Sequence, residues 1–169
     1  RTLKIASTRK TLPLSRRDLD RPIVDDLVML DDITEGLICH TLRARYMTDG
    51  FYTSVGTILI AINPFAYHPI YSPEHVTQYR NPGNRKLPPH IFQIAAAAHT
   101  ALTLEGVDQA ILISGESGAG KTEAMKICLT YIGHASQAKG QRVADEVAPR
   151  LMMTNPVMEG LGAPSTHPR

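Results

Sequence analysis

The sequence predicts an α/β fold, with helix, strand, helix, strand and helix following one another along the chain. Three observations carry this. Val55-Gly-Thr-Ile-Leu-Ile-Ala-Ile62 is a near-continuous apolar run, the pattern of a strand buried on both faces. Ala110 to Ile113 is a second apolar run, short and rich in β-branched residues, which reads as a buried parallel strand. Between and after these runs, apolar residues recur at helical spacing. Two strands are few for a doubly wound sheet, so the predicted sheet is an incomplete one.

Taken in order, residues 1–22 carry Arg1, Lys4, Arg9, Lys10, Arg16, Arg17 and Arg21 against Asp18 and Asp20, with no sustained hydrophobic period. They read as a disordered basic extension; a transit peptide or a site for an anionic partner is the other reading. Leu27-Val-Met-Leu-Asp31-Asp32 has the look of a strand ending in a magnesium-binding carboxylate. We read it instead as the approach to a helix, with Asp32 as N-cap and Glu35 at N3. Ile33, Leu37, Ile38 and Leu42 then give a helical stripe ending near Tyr46.

Asp49-Gly50 marks a turn before the long apolar strand. That strand must end at Asn63-Pro64, because Pro64 has no N–H to donate. Pro73 suits the first turn of a helix, and Pro82, Gly83, Pro88 and Pro89 make residues 80–89 a loop. His90 to Leu104 is an alanine-rich helix with Ile91, Ile94, Ala95, Ala98 and Leu102 on its apolar face.

After residue 120, Met125, Cys128, Leu129 and Ile132 fall on one helical face, and Gly133 stands where a C′ glycine ends a helix. Ser136 to Gln141 reads as polar linker. Ala144 to Met153 is a helix candidate interrupted by Pro149, and residues 161–169 read as a disordered tail.

The chain has 169 residues, 43% hydrophobic and 20% charged, enough for one domain with a core. A net charge of +2 gives no argument for nucleic acid. No apolar run approaches the ~20 residues of a membrane span. Cys39 and Cys128, both on predicted helices, read as buried thiols rather than a disulfide. The histidines form no metal-ligand spacing.

The stretch between the second strand and the last helix carries the chemistry. Gly115-Glu116-Ser117-Gly118-Ala119-Gly120-Lys121-Thr122 fits the G-x4-GK[ST] phosphate-binding pattern and lies between a predicted strand and a predicted helix, as that pattern requires. Glycine at 115, 118 and 120 permits backbone angles closed to other residues and keeps Cβ atoms away from a ligand. Successive N–H groups can then form an anion nest at the positive end of the helix dipole. Lys121 supplies a point charge for the β- and γ-phosphates, and the Thr122 hydroxyl is the Mg²⁺ ligand.

These residues, extended to Glu123, resemble the myosin phosphate loop in full, a narrower match than the general pattern. The resemblance continues through Val24-Asp-Asp-Leu27, Thr34-Glu35 and Leu42-Arg-x-Arg-Tyr46. It goes on through Ile58-Leu-Ile-Ala-Ile-Asn-Pro-Phe65, Pro69-Ile-Tyr-Ser-Pro-Glu74, Pro89-His-Ile-Phe92 and Thr154-Asn-Pro-Val-Met-Glu159. It covers about residues 24 to 162. Ala66-Tyr67-His68 departs from the basic residues frequent in the family there.

The resemblance implies a P-loop NTPase-like α/β fold, the incomplete N-terminal portion of the myosin motor sheet with flanking helices, over residues 23–160. It implies that Asn63, Pro64 and Tyr71 flank adenine, that Gly115 through Thr122 hold the phosphates and Mg²⁺, and that Glu123 lies near the base and ribose. It also implies ATP as ligand, actin filaments as partner through other parts of the motor, and a cytoplasmic, cytoskeletal setting. The last residues, Gly160 to Arg169, do not follow the family's Asn-x-x-Ser-Ser-Arg-Phe pattern. The chain therefore reads as a piece of a motor head with no catalytic residue of its own. A nucleotide-binding fragment without motor activity is the alternative, and a small kinase a third. The few arginines after the loop, Arg142, Arg150 and Arg169, argue against the kinase.

Overall fold

Arg45 ties together the first of two units in the computed structural model, which describes residues 23–137. Within the described residues that unit takes in 23–66 and 88–90, and the second takes in 67–87 and 91–137. The expectations for residues 1–22, the Ala144–Met153 helix, the Thr154–Glu159 segment and the 161–169 tail lie outside the described residues.

In the first unit Asp26 caps a short 3₁₀ turn, Leu27–Met29, its carboxylate accepting from Val28 N–H at 3.1 Å. The same oxygen accepts from Gly56 N–H at 3.0 Å. Leu27-Val-Met-Leu is thus a helical turn and not a strand. Leu27 and Leu30 pack with Leu37 into a core, against which Val24, Ile38, Val55 and Ile60 rest.

Helix α1 is Glu35–Tyr46. Its cap is Thr34, not Asp32. Thr34 takes the extended conformation, and its hydroxyl accepts from Leu37 N–H at 3.3 Å. Glu35 consequently stands in the first turn, where the helix dipole favours a carboxylate. The helix ends at Tyr46, as its apolar stripe predicts. Asp49 turns the chain at φ +60°, and Gly50 N–H closes on Arg45 C=O at 2.8 Å. A Cβ on Gly50 would lie 3.0 Å from that oxygen, so the approach needs glycine. Cys39, expected to be buried, is exposed on α1.

The single strand predicted over Val55–Ile62 is instead a hairpin. Strands β1 (Tyr52–Val55) and β2 (Ile58–Ala61) pair antiparallel with Val55 opposite Ile58. Gly56 holds the first position of the two-residue turn at φ +59°, the residue and sign that a II′ turn needs. Among the described residues these two strands are the whole sheet. Its antiparallel sense corrects the parallel sheet expected. Burial is uneven: Tyr52 and Thr53, on opposite faces of β1, are both buried, whereas Ile58 on β2 is exposed.

In the second unit, helix α2 (Pro73–Arg80) has Pro73 in its first turn, as predicted, and Ser72 stands at its N-cap. Helix α3 (Ile91–Thr100) passes into a π-helical turn, Ala101–Glu105, and closes at Gly106 with φ +68°. Helix α4 is Lys121–Gln137. The three helices pack on one another around Phe92, Ala95, Cys128, Tyr131 and Ala135, all buried.

Three expectations fail here. Ala110–Ile113 pairs with nothing in a sheet among the described residues, and Leu112 is 94% exposed. The apolar run states a requirement for neighbours that the described residues do not meet. Gly133 does not end α4. The helix runs on to Gln137 because Tyr131 and Ala135 on either side of it are buried, and packing outweighs the ~1 kcal/mol cost of an interior glycine. Leu102, assigned to the apolar face of α3, lies in the π turn and is exposed.

Candidate functional site

The loop from Gly115 to Gly120 leads directly into α4. Gly118 takes φ +80° and Gly120 φ +93°, both in the region that side chains avoid. Gly115 is held for a different reason: a Cβ there would meet Ala119 Cβ at 3.1 Å and Lys121 Cγ at 3.9 Å. Within the loop Ala119 N–H donates to Glu116 C=O at 3.2 Å, closing a tight turn over Ser117 and Gly118. Ala124 N–H donates to Gly120 C=O at 2.9 Å, the first bond of the helical ladder. The amides of the opening helical turn therefore precede that ladder, where a helix presents its positive end.

Lys121 is the charged group of this loop. Its ammonium donates to the carbonyl oxygens of Gly115 at 2.7 Å and Glu116 at 2.9 Å. The side chain thus folds back onto the backbone that precedes it, and the loop and its lysine form one closed piece. Glu123 pairs with Lys126 at 2.6 Å one turn along α4, on an exposed face. Thr122, half-buried, stands in the first turn of the same helix. Glu116 and Ser117 are exposed, as is Ala119.

The residues predicted to flank a base divide between the two units. Asn63 and Pro64 follow β2 in the first unit. There the Asn63 side-chain oxygen accepts from Phe65 N–H at 2.9 Å, and Phe65 takes φ +51°, uncommon for a bulky residue. Tyr71 lies in the second unit, as the phosphate loop does. It is half-buried just ahead of α2, its ring edge-to-face with Phe92 at 6.2 Å. Beside it Ser72 Oγ and His75 Nδ1 are 2.9 Å apart. The Ser72 hydroxyl also holds the exposed Glu74 carboxyl below its ordinary range.

Burial pushes the phenols of Tyr79 and Tyr131 upward, and raises the Cys128 thiol to about 11. Each of these groups stays protonated at neutral pH and serves packing. Among the described residues no group of three His, Cys, Asp or Glu side chains gathers in a metal-binding arrangement. No helix there is long and apolar enough to cross a membrane.

Arg45 and Phe92 are the residues that sequence reasoning missed. Both lie within segments carrying the family resemblance, and neither has a local signal that marks it as an organising centre.

Comparison with known proteins bears on this loop and its surroundings. A model of the myosin head (motor domain) family matches residues 24–167. The high molecular weight form of myosin-1 from Acanthamoeba castellanii is 43% identical over 143 residues, covering 85% of this chain and 9% of that protein. Unconventional myosin-Ia from Gallus gallus is 43% identical over 148 residues, 88% of this chain and 14% of that protein. Unconventional myosin-Ib from Homo sapiens is 41% identical over 143 residues, 85% of this chain and 12% of that protein. The chain thus spans only about a tenth of the length of these curated relatives.

Proposed function

The chain belongs to the myosin head (motor domain) family, and on that premise we propose that it is the ATP-binding portion of an actin-based motor. The site is P-loop NTPase-like: Gly115, Glu116, Ser117, Gly118, Ala119, Gly120, Lys121 and Thr122 hold the phosphates. Asn63, Pro64 and Tyr71 flank adenine, and Glu123 lies toward the base and ribose. The observation that carries this reading is the loop itself. Two glycines at φ angles side chains avoid, and a third with no room for a Cβ, shape a backbone that closes on the Lys121 ammonium at the head of α4.

The residues fit a polyphosphate. Gly118 and Gly120 let the backbone turn its amides toward one side, and α4 adds the positive end of its dipole. Lys121, already tethered to two carbonyls, gives up less of its ~2 kcal/mol of rotamer freedom when an anion arrives. The Thr122 hydroxyl would hold Mg²⁺, which when bound neutralises charge between the β- and γ-phosphates. Actin binding, ATP turnover and movement belong to the whole motor, in the cytoplasm on the cytoskeleton.

Titration of the chain with Mg-ATP tests the site. Lys121→Ala removes a charged hydrogen-bond donor and should cost about 1.5–3 kcal/mol, or roughly ten- to a hundredfold in affinity. Equal affinity in parent and variant would reject the assignment.

A second reading concerns turnover: the 169-residue chain binds ATP and does not hydrolyse it on its own. What favours this is that the loop's own carboxylates are Glu116 and Glu123, of which Glu123 is engaged with Lys126. Each preorganised electrostatic contact missing from a phosphoryl-transfer site lowers the rate by about 10²–10³-fold. A single-turnover assay with Lys121→Ala as background decides it, and Mg-dependent hydrolysis well above that background refutes it.

A further inference from the structure

The core of the second unit is built from rings. Phe92 has no exposed surface. Its ring lies 6.2 Å from Tyr71 at 78°, 6.1 Å from Tyr79 at 71° and 5.1 Å from Tyr131 at 41°. The contacts with Tyr71 and Tyr79 are edge-to-face, an arrangement that contributes beyond buried area. Tyr131, with 1% exposure, stands on α4, the helix that opens with Lys121. Phe92 therefore touches, on one side, the tyrosine ahead of α2 and, on another, the helix that carries the phosphate loop.

We propose that Phe92 is a positioning residue for nucleoside recognition. It fixes the ring plane of Tyr71 and references that plane, through Tyr131, to α4 and the loop. The inference rests on the reading of Tyr71 as a base-flanking residue. A half-buried tyrosine with nothing behind it rotates about two side-chain torsions, and a base stacked on it must stop that rotation. With the Phe92 ring packed edge-to-face with it, the plane is set before the base arrives, and binding loses less freedom. The polyphosphate, held by backbone amides and Lys121, gains nothing from this contact. Phe92 thus governs how much better a nucleoside triphosphate binds than a bare polyphosphate.

The test titrates the chain with Mg-ATP and with Mg-tripolyphosphate. Phe92→Leu should weaken ATP by about two- to tenfold, the value of an aromatic pair, and leave tripolyphosphate within about twofold. Tyr79→Leu opens the same core and should leave the ratio of the two affinities unchanged. Loss of both ligands together in Phe92→Leu, or an equal change of ratio in Tyr79→Leu, overturns the proposal and makes Phe92 a core residue only.

A second measurement leaves the ring cluster around Phe92 without a truncation. The chain has three phenylalanines, Phe51, Phe65 and Phe92. With 4-fluorophenylalanine at all three, the Phe92 resonance is assigned by elimination with Phe51→Leu and Phe65→Leu. It should move on adding Mg-ATP and hold on adding Mg-tripolyphosphate. A resonance unmoved by ATP in a chain that binds ATP overturns the proposal. Equal binding of ATP and tripolyphosphate by the parent removes the base contact at Tyr71 and this inference with it. Binding of neither removes the phosphate site itself.

Discussion

Replacing Arg45 by alanine should open the first unit. The buried guanidinium donates to Thr53 Oγ1 at 2.9 Å, to Tyr52 C=O at 2.8 Å and to Val24 C=O at 3.4 Å, and pairs with the Asp25 carboxylate. One side chain thus holds α1, β1 and the segment before the 3₁₀ turn. Deleting one partner of a buried charged network typically costs about 3–5 kcal/mol. The Asp25 side chain is 46% exposed, so water re-solvates it once the arginine is gone, and the cost should fall to about 3 kcal/mol, mostly from the stranded carbonyls and hydroxyl. Asp25→Asn should cost about 1 kcal/mol or less, because the arginine keeps three acceptors. Amide hydrogen exchange reads the effect locally, at Ser54 N–H, bonded to Asp25 C=O, and Ile62 N–H, bonded to Phe51 C=O. Where exchange reports the opening equilibrium, 3 kcal/mol is an acceleration of roughly a hundredfold or more. Acceleration below about fivefold, under 1 kcal/mol, would show that the network is ornamental and the reasoning wrong.

Four further outcomes are expected. Gly133→Ala should stabilise α4 by about 0.5–1 kcal/mol, seen as a higher thermal midpoint, because a Cβ there meets nothing within 4 Å; a lower midpoint contradicts the helix as described. Iodoacetamide at pH 8 should modify exposed Cys39 and spare Cys128, whose thiol stays protonated to about 11. Since the folded value of Cys128 lies above the 9.0 of a free thiol, its contribution to stability is whole below pH 9 and falls as pH rises toward 11; stability flat across that window counts against its burial. Leu112→Lys should raise the soluble yield without lowering thermal stability, since Leu112 is exposed; a loss of stability means that something covers it.

What the sequence discloses follows from how local each constraint is. The loop was legible because Gly118 and Gly120 answer a backbone requirement that neighbours cannot alter. Helix α2 was legible through Pro73, and the end of α1 through its stripe. The hairpin was hidden because Gly56 sits inside an apolar run that, read as a string, has no turn in it. Arg45 was hidden because a charged residue on a helix reads as solvent-facing, and its acceptors come from other segments. Ala110–Ile113 was misread for the opposite reason: its composition asks for a sheet, but pairing is a property of neighbours. Of the candidate site, the residues proposed to hold phosphate follow from the spacing of the glycine loop. Tyr71 as a base neighbour follows only from family resemblance, since a tyrosine ahead of a helix has no distinctive local chemistry.

The reach of the Arg45 bonds sets a timetable for folding. Its partners lie 7, 8, 20 and 21 residues away along the chain, and Asp26 reaches Gly56 across 30. Loops of this size close cheaply and fast, on the order of 10–100 ns for about ten residues, while a hairpin forms in about 1–10 µs. Low contact order of this kind favours rapid folding. The 3₁₀ turn, α1 and the hairpin should therefore form early during synthesis, once Ile62 is free of the ribosome, and residues 88–90 complete the unit later. Substitutions at Arg45 should then slow its folding more than they hasten its unfolding.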